Sequence, residues 1–458
     1  MISDITLAFS GDIEQAFCLL RILKYMAEDC DNEQIVVEES IKESYYNFLD
    51  SHARTHIFKN IFTQWVCNLH SLNVEPAKLT FLQNRLMDTF LAWIRLALPA
   101  EVFENIMAEN RPVVDLVFEQ LASGDDENVQ VAANCLVELM KSSRLAKNNF
   151  ASFLDLVFAK QEALQELTLR VIASGDCERA EQFTNIFVEL GFANMDQIIA
   201  SGSPLLEVLI ALLAMEESAC FAQLSFWRNL FRKISKIPDP ADRLIKLQHF
   251  EGVLVKLITL VVQRTKMDEA TFLALNRQSV LSSEFEEFFA LRRDLASLLS
   301  GICKSCGSMT IYPILSQFLT NALQGESQMS AAGDLVRLYM DLECLLFCCA
   351  QLTKNIESGE LSNLKDVVLL VQKLIASNGE QPSVCDQYTA MQLQCTNFIC
   401  TITYALGKFG TEAASEVKQF TEFTLQGFRN AELTLNTSAS CFLRLCQDCA
   451  EVLSPHTE

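Results

Sequence analysis

The chain has 458 residues, a formal charge of -22 and 50% apolar composition, yet only 15 Gly and 9 Pro. That is roughly half the usual supply of turn residues, too few for a β-sandwich, a β-barrel, a disordered chain or a glycine-punctuated α/β enzyme. With 36 basic against 58 acidic side chains, the balance also argues against a nucleic-acid binder.

Helical periodicity dominates the chain. Asp115-Leu-Val-Phe118 recurs as Asp155-Leu-Val-Phe158, a period inside the roughly 40–47 residues of HEAT and armadillo repeats. Each copy is predicted to lie in a helix and to be followed by a second apolar stripe. After the first copy that stripe is Ala132, Cys135, Leu136, Leu139 and Met140, spaced i, i+3, i+4, i+7, i+8. Three junctions share one form: Leu121-Ala-Ser-Gly124-Asp125, Ile172-Ala-Ser-Gly175-Asp176 and Ile199-Ala-Ser-Gly202-Ser203-Pro204. In each, Gly suits the left-handed position that closes a helix, and Asp or Ser suits the cap of the next. Pro204 fits a first helical position.

Leu205, Val208, Leu209, Leu212 and Leu213 repeat the stripe, and Val367, Leu370, Val371 and Leu374 do so late in the chain. Pro238-Asp-Pro240 and residues 377–382 read as connections, and 262–283 as a long loop with one helical turn. These elements predict an all-α protein. Its architecture is a HEAT/armadillo-like α-α superhelix of about ten helical pairs, running as one continuous array over 1–458.

Chemistry is sparse. Seventeen Cys fall in apolar helical stretches such as Cys344-Leu-Leu-Phe-Cys348-Cys349, and are expected to be buried thiols of a reducing compartment. Cys303/Cys306 and Cys446/Cys449 have i, i+3 spacing that could hold zinc or cross-link, but only His456 lies near either pair. There is no phosphate loop, HExxH, GxSxG or Rossmann glycine pattern, so neither an enzyme nor a cofactor is expected. The longest apolar runs, 205–215 and 253–262, are interrupted by Glu207 and Lys256 and fall short of the ~20 residues of a bilayer span. No basic, then apolar, leader is read at Met1. A soluble intracellular protein with no membrane insertion is expected. Its acidity would attract basic protein partners, and would also keep an apolar chain in solution.

Two local signatures stand out. The first is Gln223-Leu-Ser-Phe226-Trp227-Arg-Asn-Leu230, with its aromatic pair expected in the core. The second is Glu284-Phe285-Glu286-Glu287-Phe288-Phe289-Ala-Leu-Arg292-Arg293-Asp294-Leu295. There Phe285, Phe288, Phe289 and Leu295 form a predicted buried stripe, with Glu284, Glu287 and Arg292 outside. The outer acids Glu284, Glu286 and Glu287 read either as a solvated face or as a partner-binding one. Arg292 or Arg293 could instead pair with an acid on a neighbouring repeat.

In this order and about 60 residues apart, the signatures resemble the middle of the importin-β superfamily of nuclear transport receptors, above all its transportin-3 and importin-13 branch. Phe226, Trp227 and Leu230 match that branch's Phe-Trp-x-x-Leu helix. Glu284, Phe285, Glu287, Phe288, Asp294 and Leu295 match its following acidic-Phe-x-Glu-Phe helix. Cys18-Leu-Leu-Arg-Ile-Leu23, Phe90-Leu-Ala-Trp93 and Phe183-Thr-Asn-Ile-Phe187-Val-Glu-Leu190 resemble other helices of the family, collinearly. The departures are Phe289, where the family often has Arg, and the missing first Phe of the Phe-Trp helix.

The resemblance implies a monomeric receptor shuttling between cytoplasm and nucleus. Its partners would be basic or Arg-Ser-rich protein cargo, nucleoporins and the Ran GTPase, whose GTP form releases cargo. It covers the family's central repeats. The N-terminal Ran-binding arch and the C-terminal Arg-Ser surface are expected to lie outside this chain. A HEAT scaffold of a phosphatase or vesicle-coat assembly is the alternative.

Overall fold

The computed structural model describes residues 13–31, 38–49, 57–62, 65–67, 75–96, 111–145, 151–215, 220–276, 283–326, 332–353, 364–376, 382–428 and 432–454. Among them every regular element is helical. The chain divides into two units, Met1–Phe226 and Trp227–Glu458, the division falling within the helix Cys220–Ser235.

In the first unit, Ile13–Asp31, Pro76–Arg95, Asp126–Leu145 and Cys177–Ala193 form a row in which each helix packs on the next. A second helix lies against members of that row: Arg111–Leu121 on Asp126–Leu145, and Gln161–Ser174 on Cys177–Ala193. The second unit repeats the scheme. Ser283–Cys306, Ala332–Thr353, Thr389–Phe409 and Glu432–Asp448 form the row, with Ser308–Glu326 and Ala414–Gly427 packed alongside. This is an α-α repeat pattern as predicted, but the row helices begin at residues 13, 76, 126 and 177 and at 283, 332, 389 and 432, a longer and less even spacing than the one that separates the two Asp-Leu-Val-Phe copies. The two Asp-Leu-Val-Phe copies indeed fall in the helices Arg111–Leu121 and Ala151–Ala159.

The predicted stripes are the core. Ala132, Cys135, Leu136, Leu139 and Met140 are wholly buried, as are the stripes beginning at Leu205 and Val367. The buried side chains Asn128 and Gln120 bridge two paired helices by a 2.9 Å hydrogen bond from Nδ2 to Oε1. Two of the predicted caps are placed by a short polar side chain. Asp125 accepts from the Asn128 amide at 2.9 Å, and Asp176 from the Arg179 amide at 3.0 Å. Such a bond satisfies an amide the helix itself leaves open, and is worth about 1 kcal/mol.

Several boundaries differ from expectation. Gly175 is left-handed at φ 72°, ψ 19°, but Gly124 is not among the described glycines with positive φ. Successive i to i−3 bonds from the Ala122 and Ser123 amides turn the chain before Gly124, so no left-handed residue is needed there. Gly202 has φ 72° with an extended ψ of 178°, and Pro204 sits one position earlier than predicted, at the cap. Of the loop expected at 262–283, the described residues 262–276 are mostly helix, and 277–282 lie outside the described residues. Glu251–Thr265 continues through Val262, and Glu269–Asn276 follows, started by an Asp268 carboxylate that accepts from the Thr271 amide at 2.6 Å. Asp239 caps Pro240–Gln248 as the Pro-Asp-Pro run suggested, whereas residues 377–381 lie outside the described residues.

Close approach of two neighbouring helices of the second unit's row, Thr389–Phe409 and Glu432–Asp448, depends on a glycine. A Cβ on Gly407 would overlap the backbone carbonyl oxygen of Asp448, which cannot swing aside as a side chain would. Gly301, inside Ser283–Cys306, faces nothing within 4 Å. Gly407→Ala is therefore expected to destabilise the protein by about 1–3 kcal/mol through overpacking. Gly301→Ala is expected to stabilise it by about 0.5–1 kcal/mol through helix propensity. Thermal and urea unfolding of the two variants should move in opposite directions.

Candidate functional site

The signature residues come together in pairs of neighbouring helices. In the first unit, Phe90-Leu-Ala-Trp93 lies against Cys18–Leu23. The Trp93 indole donates to the Leu23 carbonyl at 3.0 Å, and the Thr89 hydroxyl to the Leu20 carbonyl at 3.2 Å. Phe58 and Phe62 pack edge-on against Phe90 at centroid distances of 5.7 and 5.3 Å. Lys24 closes the edge of this contact with a 2.7 Å ion pair to Asp88.

Further along, Lys160 reaches Asp115 at 3.1 Å and lies 4.8 Å from the centroid of Phe118, so it binds the other Asp-Leu-Val-Phe copy by charge and by ring face. Arg179 reaches Asp126 at 2.7 Å. Phe226 closes this unit, its ring edge-on to Phe192 at 5.7 Å.

In the second unit, Trp227 and Leu230 are fully buried, and Trp227 stacks on Phe231 at 6.5 Å. Arg228, between them in sequence, donates to the Asp294 carboxylate at 2.6 Å and to its carbonyl at 2.8 Å. Ser305 adds a 2.7 Å hydrogen bond to the Phe231 carbonyl. Asp294 is thus a fastener between the two signature helices.

Arg292 is not on the outer face. It is 4% exposed, paired at 2.6 Å with Glu343, itself 1% exposed, and its guanidinium sits 4.1 Å from the Phe347 ring centroid. Phe288, Arg292, Leu295 and Leu299 are spaced i, i+4, i+7, i+11. Arg292 therefore lies in the inward stripe, and its charge requires Glu343 on the next helix of the row. The suggested pairing with a neighbouring repeat holds for Arg292, while Arg293 is exposed. A clue was legible in the sequence: Glu343 sits alone in the apolar run Leu342–Ala350. Phe288 and Phe289 are half-buried, Glu286 and Glu287 are exposed, and the side chains of Glu284 and Phe285 lie outside the described residues.

Lys266 and Asp341 add a 2.5 Å ion pair between Glu251–Thr265 and the row. The thiols are mostly structural. Cys344 donates to the Val262 carbonyl at 3.0 Å. Burial pushes Cys303, Cys306 and Cys349 up to about 12, so these thiols are protonated and unreactive as they stand. Cys18, Cys67 and Cys446 depart from the expected burial by being exposed, and Cys446 and Cys449 therefore do not share a covered face. Among the described residues no three His, Cys, Asp or Glu side chains converge as a metal site. Two apolar grooves open on the second unit. One, of about 640 Å³, lies between Val417, Leu425, Phe442 and Val452. The other, of about 470 Å³, lies between Leu319, Leu323, Tyr339 and Leu369. The arrangement is suited to binding protein surfaces.

The sequence matches no family model and no curated protein. Solved structures do match it. A crystal structure of Kap121p bound to RanGTP covers 99% of this chain at a TM-score of 0.57 and 12% identity, over 45% of its own length. Kap121p alone gives 99% coverage, 0.52 and 13%, over 49% of its length. Kap121p bound to Nup53p gives 96%, 0.53 and 12%, over 46%. The chain spans about half the length of the structures it resembles. At such identities the likeness establishes the fold, the HEAT-repeat stacking of the karyopherin Kap121p, in agreement with the class predicted from periodicity.

The buried ion pair has measurable consequences. Arg292→Met strands a buried carboxylate and is expected to cost roughly 3–5 kcal/mol, whereas the double substitution Arg292→Met/Glu343→Leu should cost far less. Burial raises the Glu343 carboxyl above its ordinary value of 4.5, and the attraction of Arg292 only partly offsets this. The folded state therefore holds that proton more tightly than the unfolded chain. The contribution of Glu343 to stability is most favourable below pH 4.5 and declines as pH rises through the raised folded value. Urea unfolding across that window should show a decline that Glu343→Gln removes.

Proposed function

We propose that this chain is a nuclear transport receptor segment of the importin-β superfamily, a non-catalytic protein that binds other proteins along its helical repeats. The observation that carries the reading is the likeness of nearly the whole chain to Kap121p, including the forms bound to RanGTP and to Nup53p. The collinear signature helices support the transportin-3 branch, with residues 1–458 as one run of repeats. An overall charge of -22 suits basic cargo, and Arg-Ser-rich segments are the class this branch implies. Ran in its GTP form is the releasing partner, nucleoporins are the transit partners, and the protein shuttles between cytoplasm and nucleus. Glu286 and Glu287, exposed on the second signature helix, are the proposed contacts for basic cargo, with Arg293 beside them and Arg292 withdrawn into the core.

The test is a binding assay of the full chain with a labelled Arg-Ser-rich peptide, with GTP-loaded Ran as competitor. The expected outcome is salt-sensitive peptide binding, weakened by Glu286→Lys/Glu287→Lys and displaced by Ran-GTP. Binding of neither ligand would favour a HEAT scaffold of another class.

A further inference from the structure

The helix Pro240–Gln248 inverts the rule that the helices of the rows follow. It is well built, with Pro240 at its first position and the Asp239 carboxylate accepting from the Ala241 amide at 2.9 Å. Yet none of its residues is buried. Its exposed positions are Pro240, Ala241, Leu244, Ile245 and Gln248, the last four spaced i, i+3, i+4, i+7. This is the stripe that elsewhere faces the core. Leu244 is 63% exposed, the most of any large apolar residue described, and Ile245 is 54% exposed. Phe250, 1% exposed, anchors the end of the helix to its unit, so the outward stripe belongs to a docked element.

The surrounding charge is reversed as well. Residues 232–246 carry five basic side chains, Arg232, Lys233, Lys236, Arg243 and Lys246, against two acids, Asp239 and Asp242, in a protein of net charge -22. Lys236, Arg243 and Lys246 have no carboxylate within ion-pair distance among the described residues, although acids are abundant in the chain. An apolar stripe flanked by unneutralised cations complements one kind of surface, apolar side chains flanked by carboxylates.

We propose that the Leu244–Ile245 stripe, with Lys236, Arg243 and Lys246, is a docking site for an acidic amphipathic peptide segment of a partner protein. The strip is one short helix, about 14 Å long at 1.5 Å per residue, which suits a single peptide rather than an extended lipid or nucleic-acid surface. This site is separate from the acidic face proposed for basic cargo, and its chemistry is the opposite.

The experiment uses fluorescence anisotropy with the full chain. The probe is a fluorescein-labelled peptide of Leu, Phe, Asp and Glu at helical spacing, about 14 residues long. The control replaces its acids with Lys. The acidic peptide should bind, with affinity falling as salt rises, and the Lys control should not compete at this site. Leu244→Glu and Ile245→Glu should each weaken binding at least about tenfold, as loss of a central anchor does. Circular dichroism is expected to be unchanged, because both side chains are already in solvent. Lys236→Glu/Lys246→Glu tests the charge independently and should flatten the salt dependence. Absence of peptide binding by the wild type, or binding indifferent to all these variants, overturns the proposal. So does tighter binding to phosphatidylserine vesicles than to the peptide. Self-association of the chain that Leu244→Glu abolishes overturns it too, by making the occupant a second copy.

Discussion

No helix of the two rows can bury its apolar stripe alone, and each finds its cover in the helices adjacent along the row. That nearest-neighbour constraint organises everything else. It makes the row helices, such as Pro76–Arg95 and Asp126–Leu145, the most buried elements, because each is covered from both sides as well as by its own pair. It also means that register between repeats must be held by specific contacts, since apolar stripes alone would slide past one another with little penalty.

The fasteners are of three kinds. Backbone carbonyls receive indole or hydroxyl donors, as at Trp93–Leu23 and Ser305–Phe231. Ion pairs link residues some 45 to 75 positions apart, as at Lys160–Asp115, Arg228–Asp294 and Lys266–Asp341. Their partly exposed members are worth little in energy individually, but they are directional, and direction is what register needs. Arg292–Glu343 is the extreme case, fully enclosed and sandwiched against Phe347. Its removal from water is costly, so only a tightly matched pair persists there. Gly407 is the third kind, an absence of side chain that lets two backbones meet.

The same constraint explains why the chemistry of this chain lies on its surface. The core is built mainly of apolar side chains and thiols, with Arg292 and Glu343 enclosed as a pair, and most charged side chains lie outside it. The excess of acids gives the chain a net negative long-range field. The helix Pro240–Gln248 interrupts that field with a basic, apolar strip, so one protein presents surfaces of opposite preference.

The sequence by itself determined the all-helical class, the buried stripes at Ala132–Met140 and Leu205–Leu213, and the caps at Asp125 and Asp176. All of these follow from local chemistry: a 3.6-residue period and short polar side chains beside open amides. Only the tertiary structure decided which way a stripe faces and what lies against it. Arg292 shares its stripe with Phe288 and Leu295, but its burial depends on Glu343, on another helix. Leu244 and Ile245 have the spacing of core residues and face solvent. Residues 262–276 lack a strong stripe, yet become helix once Asp268 caps them and neighbouring helices cover Met267 and Phe272. Periodicity is a property of one helix, whereas burial belongs to a pair of them, and the pairing is not written within either one.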